Sequence, residues 1–236
     1  MTMADTDDPE GLTQERVSVG EKPGTCCLSD VVSVLEEDIV FGRLHPRERL
    51  VEDELMSRFA IKRHIAREAL ASMERMGLVE RRKNVGAFVR SFTSRQVVEL
   101  YQLRSVLETE AARLISLPVP EASLEELKAT QQSHDEAVAA ADPRLVFRLN
   151  LLFHQQLFAL SNNEVLVQAI GEYARQTHAI RFLSLLSADY REQARVDHWQ
   201  MIEALENGER ERLLGLCAAH LIPSRDTYLE AQRHRH

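Results

Sequence analysis

Leu50, Leu55 and Phe59 fit one short amphipathic helix, and Ile65, Ala69, Leu70, Met73 and Met76 fit a second that stops at Gly77. Only Ala60-Ile61-Lys62 lies between them. Two helices joined by so tight a turn form a helix-turn-helix, whose second member is placed to enter a DNA major groove. The period then changes, because Leu78-Val79-Glu80-Arg81-Arg82 and Ala87-Phe88-Val89-Arg90 alternate as strands around Lys83-Asn84-Val85-Gly86. That pattern predicts a β-hairpin wing. Upstream, Val31, Val32, Leu35, Ile39 and Val40 predict another helix, capped by Ser29 or Asp30 and ended near Phe41-Gly42.

Charge supports a nucleic-acid partner only locally. The whole chain is acidic, with 29 Lys+Arg against 37 Asp+Glu and a net charge of -8. Between 58 and 90, however, Arg58, Lys62, Arg63, Arg67, Arg75, Arg81, Arg82, Lys83 and Arg90 face only Glu68, Glu74 and Glu80. Arg63 and Arg67 are four residues apart and project from one face near the start of the second helix, where guanidinium groups reach guanine edges. Lys83 and Asn84 on the wing are placed for phosphates or the minor groove. The alternative is a solvated basic face that pairs with Glu68 and Glu74.

The 236 residues, 44% hydrophobic and 28% charged, suffice for a small domain and a medium one. No apolar run approaches the ~18 residues of a membrane span. The acidic, polar first 25 residues lack the order of a secretory signal, and Cys26, Cys27 and Cys217 are spaced neither as a disulfide framework nor as a zinc finger. A cytoplasmic protein with reduced thiols is expected. Residues 1–27 have no period and predict a disordered tail, 28–92 the winged helix-turn-helix, and 93–236 an all-helical domain. Within the last, helices are expected over about 94–117, 121–140, 143–160, 164–187, 189–206 and 209–231, with Pro223 kinking the final one. The fold class is therefore mainly α with one small hairpin.

Asn150 and His154 are spaced i and i+4 on one of those helices, with His198 and His220 on two others. Three neutral imidazoles converging in a helical bundle suit a divalent transition ion. Hydrogen-bonded core histidines are the alternative.

The segment Ile39-Val40-Phe41-Gly42-Arg43-Leu44, with Pro46, Glu54-Leu55, Ile61-Lys62-Arg63-His64-Ile65-Ala66-Arg67-Glu68-Ala69-Leu70, Met76-Gly77-Leu78-Val79 and Gly86-Ala87-Phe88-Val89, resembles the winged-helix domain of GntR-family transcription regulators. The chain departs from the family pattern at Arg47, where Gly is usual, and at Lys62-Arg63-His64-Ile65-Ala66-Arg67-Glu68, where Ser-Arg-Thr-Pro-Val-Arg-Glu is usual. Both arginines survive. The resemblance implies a DNA-contacting set of Lys62, Arg63, His64, Arg67, Lys83, Asn84 and Gly86.

The helical region, with Tyr101-Gln102-Leu103-Arg104-Ser105-Val106-Leu107-Glu108, Asn150-x-x-Phe153-His154, His198 and His220, resembles the FCD ligand-binding domain of the FadR subfamily. That resemblance implies a divalent metal held by Asn150, His154, His198 and His220, with zinc the default and nickel or manganese the alternatives. Asn150 stands where Asp is common, so it ligates less strongly or contacts a bound water. It also implies that Arg104 grips the carboxylate of a small organic acid effector, Glu108 being its structural alternative partner, and Arg181 is a further candidate for the same cavity. The expected function is a homodimeric, ligand-responsive regulator on a palindromic operator, a repressor released by its effector. The alternatives are a metal-free regulator with structural histidines, or a hydrolase-like metal enzyme, for which no general base in an HExxH-like arrangement is present.

Overall fold

The computed structural model describes residues 27–233. The tail expected over 1–27 thus lies outside the described residues except for Cys27. The chain runs α1 Leu28–Val40, β1 Arg49–Leu50, α2 Glu52–Phe59, α3 Arg63–Arg75, β2 Val79–Arg82 and β3 Gly86–Val89. It continues with α4 Ser94–Leu114, α5 Glu121–Ala139, α6 Pro143–Ala159, α7 Glu164–Gln176, α8 His178–Leu186, α9 Ala188–Glu206, α10 Arg210–His220 and α11 Ile222–Arg233.

α3 buries Ala66, Ala69, Leu70 and Met73 against Leu35, Ile39, Leu55 and Val89, so its apolar stripe fixes which face is left for solvent. It ends in a Schellman turn, with Leu78 N–H donating to Met73 O and Gly77 N–H to Glu74 O. Gly77 is required there twice over. Its φ is +73°, and a Cβ would stand 2.7 Å from Gln176 Cγ in α7. β2 and β3 form the wing, and β1 joins β3 antiparallel in the order β1-β3-β2, with Leu50 opposite Ala87.

Four details differ from the sequence expectation. Leu50 belongs to β1, not to the second helix, because a two-residue strand is too short to display alternation. The N-cap of α1 is Cys27, whose N–H donates to Asp30 Oδ2 at 3.1 Å; Asp30 acts as the third helical residue of a capping box, and Ser29 lies inside the helix. The helix expected over 164–187 is broken at Thr177, where the side-chain hydroxyl donates to Ala174 O at 2.6 Å and the next helix restarts. The helix expected over 209–231 is likewise two, with Pro223 in the first turn of α11, where its missing N–H costs nothing.

The helical core gathers Ala111, Ala112, Leu127, Phe153, Phe158, Met201 and Leu213 from α4, α5, α6, α9 and α10. The winged helix rests on it through α1. Glu37 pairs with Arg144 and Arg148 of α6, and Phe41 meets Phe147 edge-on at 6.1 Å. Among the described residues no helix is long and apolar enough to cross a membrane.

Candidate functional site

On the winged helix, Lys62, Arg63, His64 and Arg67 are exposed at the start of α3. Arg63 Nη2 lies 2.6 Å from Asp53 Oδ1, and Arg67 Nε 3.0 Å from Glu52 Oε2. Their partners are thus the first turn of α2, not Glu68 and Glu74. Exposed pairs of this kind are worth at most about 1 kcal/mol, so they hold the guanidinium groups in place without competing strongly with phosphate or base. Lys83 and Asn84 (φ +60°) lie in the wing turn, and Gly86 opens β3. Arg49 of β1 joins them: its Nε lies 3.2 Å from where a Gly86 Cβ would be, and it is exposed with no ion-pair partner among the described residues. Sequence patterning missed Arg49 because it missed the strand that carries it.

In the helical domain, His154 of α6, His198 of α9 and His220 at the end of α10 present nitrogens that lie within 4.8 Å of one another. His154 Nε2 and His220 Nε2 are 3.2 Å apart. Two ligands of a tetrahedral ion at the usual Zn–N length are about 3.3 Å apart, so this spacing fits. Two of the three rings are oriented from behind, while the Nδ1 of His154 is buried without a protein partner. His198 Nδ1–H donates to Gln131 Oε1 at 2.8 Å, and the Gln131 amide is in turn fixed by donating to Asp135 Oδ1 at 2.8 Å. His220 Nδ1–H donates to Asp197 Oδ2 at 2.9 Å. Both bonds turn the Nε2 lone pairs towards the cluster. The Nε2 of His198 is buried without a protein partner. Burial, reinforced by neighbouring histidines and arginines, pushes His154 and His198 well below the ordinary imidazole range, which keeps both neutral and able to ligate. The residues present therefore fit a divalent ion.

Asn150 is buried one turn before His154 on α6, and its amide takes no hydrogen bond from the described residues. Gln131, Asp135, Asp197 and the wholly buried His134 were not legible as site residues. His134 packs 5.2 Å from His198, ring to ring, and burial pushes it down to about 4. Their only sequence signal is polar residues at helical spacing, which most solvated faces also show.

Beside the histidines lies a cavity of about 440 Å³, whose walls include His154, Arg104, Arg175, His178, Arg181, Glu108 and Glu36. Arg104 is held at 2.7 Å by Glu108 and donates to Thr177 Oγ1 at 3.1 Å. Burial works against its charge, but the Glu108 carboxylate more than offsets this and the guanidinium stays protonated. Arg181 is 5% exposed, and its Nε is buried without a partner. Three arginines against two glutamates give the lining a net positive charge before any ion is bound.

A winged helix with a cationic reading face, seated on a helical bundle whose cavity carries charged side chains in its walls, is the architecture of a DNA-binding transcriptional regulator. Residues 99–222 match the FCD domain, and residues 28–89 match the gntR family of bacterial regulatory proteins. The chain belongs to the GntR family and carries an FCD domain; this is a family of transcriptional regulators, not of enzymes. It is similar to the HTH-type transcriptional regulator YdhC of Bacillus subtilis, with 27% identity over 190 residues, covering 79% of this chain and 84% of that protein. It is also similar to the HTH-type transcriptional repressor RspR of Escherichia coli K12, with 24% identity over 193 residues, covering 81% and 84%. The solved structure of E. coli McbR/YncC shares the fold, with a TM-score of 0.75 and 19% identity over 87% of this chain and 98% of that one.

Proposed function

We propose that a small organic acid, bound beside a divalent metal, controls operator binding by this regulator. His154, His198 and His220 hold the ion, and Asn150 is either a fourth ligand or the contact of a bound water. Zinc is the default for an imidazole set, with nickel or manganese the alternatives. The observation that carries the proposal is Arg181, a buried guanidinium with an unpartnered Nε in the same cavity wall as His154. A buried donor left unpaired costs about 1–3 kcal/mol, and a carboxylate is the ligand that a guanidinium grips with two parallel bonds. Arg104 lines the same cavity, already committed in part to Glu108.

The chain acts as a homodimer that sets two copies of α3 on the half-sites of a palindromic operator. It acts as a repressor, as the relative RspR is named, and the acid releases it. The acid must then bind the DNA-incompetent arrangement more tightly, and a tenfold change in operator affinity needs a coupling of about 1.4 kcal/mol.

The test is a fluorescence-anisotropy titration of operator DNA against zinc-loaded protein across a panel of mono-, di- and tricarboxylates. At least one acid is expected to weaken binding about tenfold in the wild type and not in Arg181→Met. Insensitivity across the whole panel would overturn the switching scheme. A metal-free regulator is favoured by one feature: Phe153 stacks on His198 at 4.0 Å and would hold that ring without an ion. Metal analysis separates the two.

A further inference from the structure

Three consecutive residues at the break between α7 and α8 face three different parts of the molecule. Gln176 Oε1 accepts from Arg90 Nη1 at 3.1 Å, and its side chain occupies the space a Cβ on Gly77 would need, at the end of the recognition helix. Thr177 is fully buried and accepts from Arg104 of the cavity. His178, also fully buried, lies with its Nδ1 2.9 Å from Glu36 Oε1 of α1 and its ring edge-on to Phe147 at 5.0 Å. Glu36 itself lines the cavity, so one wall of the ligand site is supplied by the DNA-binding domain. α1 packs directly on α3 through Leu35 and Ile39, which touch the core that α3 builds with Ala66, Leu70 and Met73.

We infer that Glu36 is a ligand-sensing side chain lent to the cavity by the DNA-binding domain, and that Gln176-Thr177-His178 carries the state of the cavity to both ends of the winged helix. The cavity as effector site is taken from the reading above. An anion held by Arg181 stands close to the Glu36 carboxylate, repels it and competes with it for His178. Loss of the Glu36–His178 contact leaves α1 tied to the bundle by the Glu37 and Phe41 contacts and so freer to shift, while any shift of Thr177 with Arg104 moves Gln176 against Gly77. Packed contacts of this sort have discrete arrangements and do not deform continuously, so a small displacement at the junction becomes a change in the placement of α3.

The coupling is measured on the full chain with no organic acid added. Thr177→Val removes the hydroxyl that accepts from Arg104 and donates to Ala174 O, and it changes no residue of the winged helix. Hydrogen exchange of the variant is expected to rise at least threefold in α1 and at the Gly77–Leu78 corner, and its operator Kd to change at least threefold, with metal content unaltered. Exchange changes confined to α4, α7 and α8, with an unchanged Kd, would overturn the inference. If that variant does not fold, Glu36→Gln reads the same path from the other end. It keeps the shape and removes the charge, and it is expected to raise exchange across 176–178 and in α4; unchanged exchange there would overturn the inference equally. Because no acid is present, this result stands or falls separately from the effector screen.

Discussion

Asp197 Oδ2 accepts the Nδ1–H of His220 at 2.9 Å, and a carboxylate can only accept, so in the neutral ring the lone pair falls on the Nε2 that faces His154 at 3.2 Å. Gln131 does the same for His198. Outer-shell partners of this kind typically tune metal affinity 10- to 100-fold. Asp197→Ala and Gln131→Ala are each expected to weaken zinc binding by about that factor, measured by competition with a chelating dye, while circular dichroism stays unchanged. Unaltered affinity in both would mean that the two bonds do not orient ligands.

Acid should destabilise the metal-free chain through His134. In the fold this ring takes a proton only near pH 4, because burial disfavours its charge, whereas in the unfolded chain it does so from pH 6.5 downward. The unfolded state therefore binds more protons between those values, and stability falls as pH drops through that window. The contribution of His134 amounts to about 2 kcal/mol lost between pH 7 and pH 5. Urea midpoints of chelator-treated wild type and His134→Gln should diverge accordingly, the variant losing less. Parallel pH profiles would contradict the burial of an uncharged ring.

The two halves of the DNA face should separate by kind of contact. Arg63→Ala is expected to cost about 1–3 kcal/mol on operator DNA and to relax specificity at one base pair. Arg49→Ala and Lys83→Ala should each lower the salt slope by about 1 and weaken operator and random DNA alike. Equal losses of Arg63→Ala on both DNAs would make it a phosphate contact.

Gly77→Ala meets two penalties, a left-handed backbone at φ +73° and a Cβ 2.7 Å from Gln176 Cγ. The backbone share is about 1–2 kcal/mol. Gln176→Ala relieves the close approach and also removes the bond from Arg90, so the double variant is read against Gln176→Ala alone, and in that background Gly77→Ala should cost less but still the backbone share. Strict additivity in thermal denaturation would show that α7 does not press on this turn.

Local periodicity made the winged helix legible, since α3 and the wing declare themselves by a change of period within a few residues. β1 did not, because two residues carry no alternation. The α7–α8 break was hidden for a different reason: Thr177 is neither Pro nor Gly, and what its hydroxyl does depends on Ala174 one turn back and on Arg104 in a distant helix. The histidine triad was picked out of nine histidines chiefly by the resemblance to FCD domains, since spacing alone fits many triples. Its orienting groups could not, since Gln131, Asp135 and Asp197 are common residues whose meaning comes from tertiary neighbours. The same holds for Arg63 and Arg67, whose carboxylate partners lie on α2 and not on their own helix.

Elemental analysis of untagged protein, wild type beside His154→Ala, with an operator titration on the same samples, bears most directly on the metal-linked cavity. About one divalent ion per chain in the wild type, absent from the variant although both bind DNA, is the expected result. No ion in the wild type even after incubation with zinc, with tight DNA binding intact, would contradict it and leave a regulator whose histidines serve only to pack the bundle.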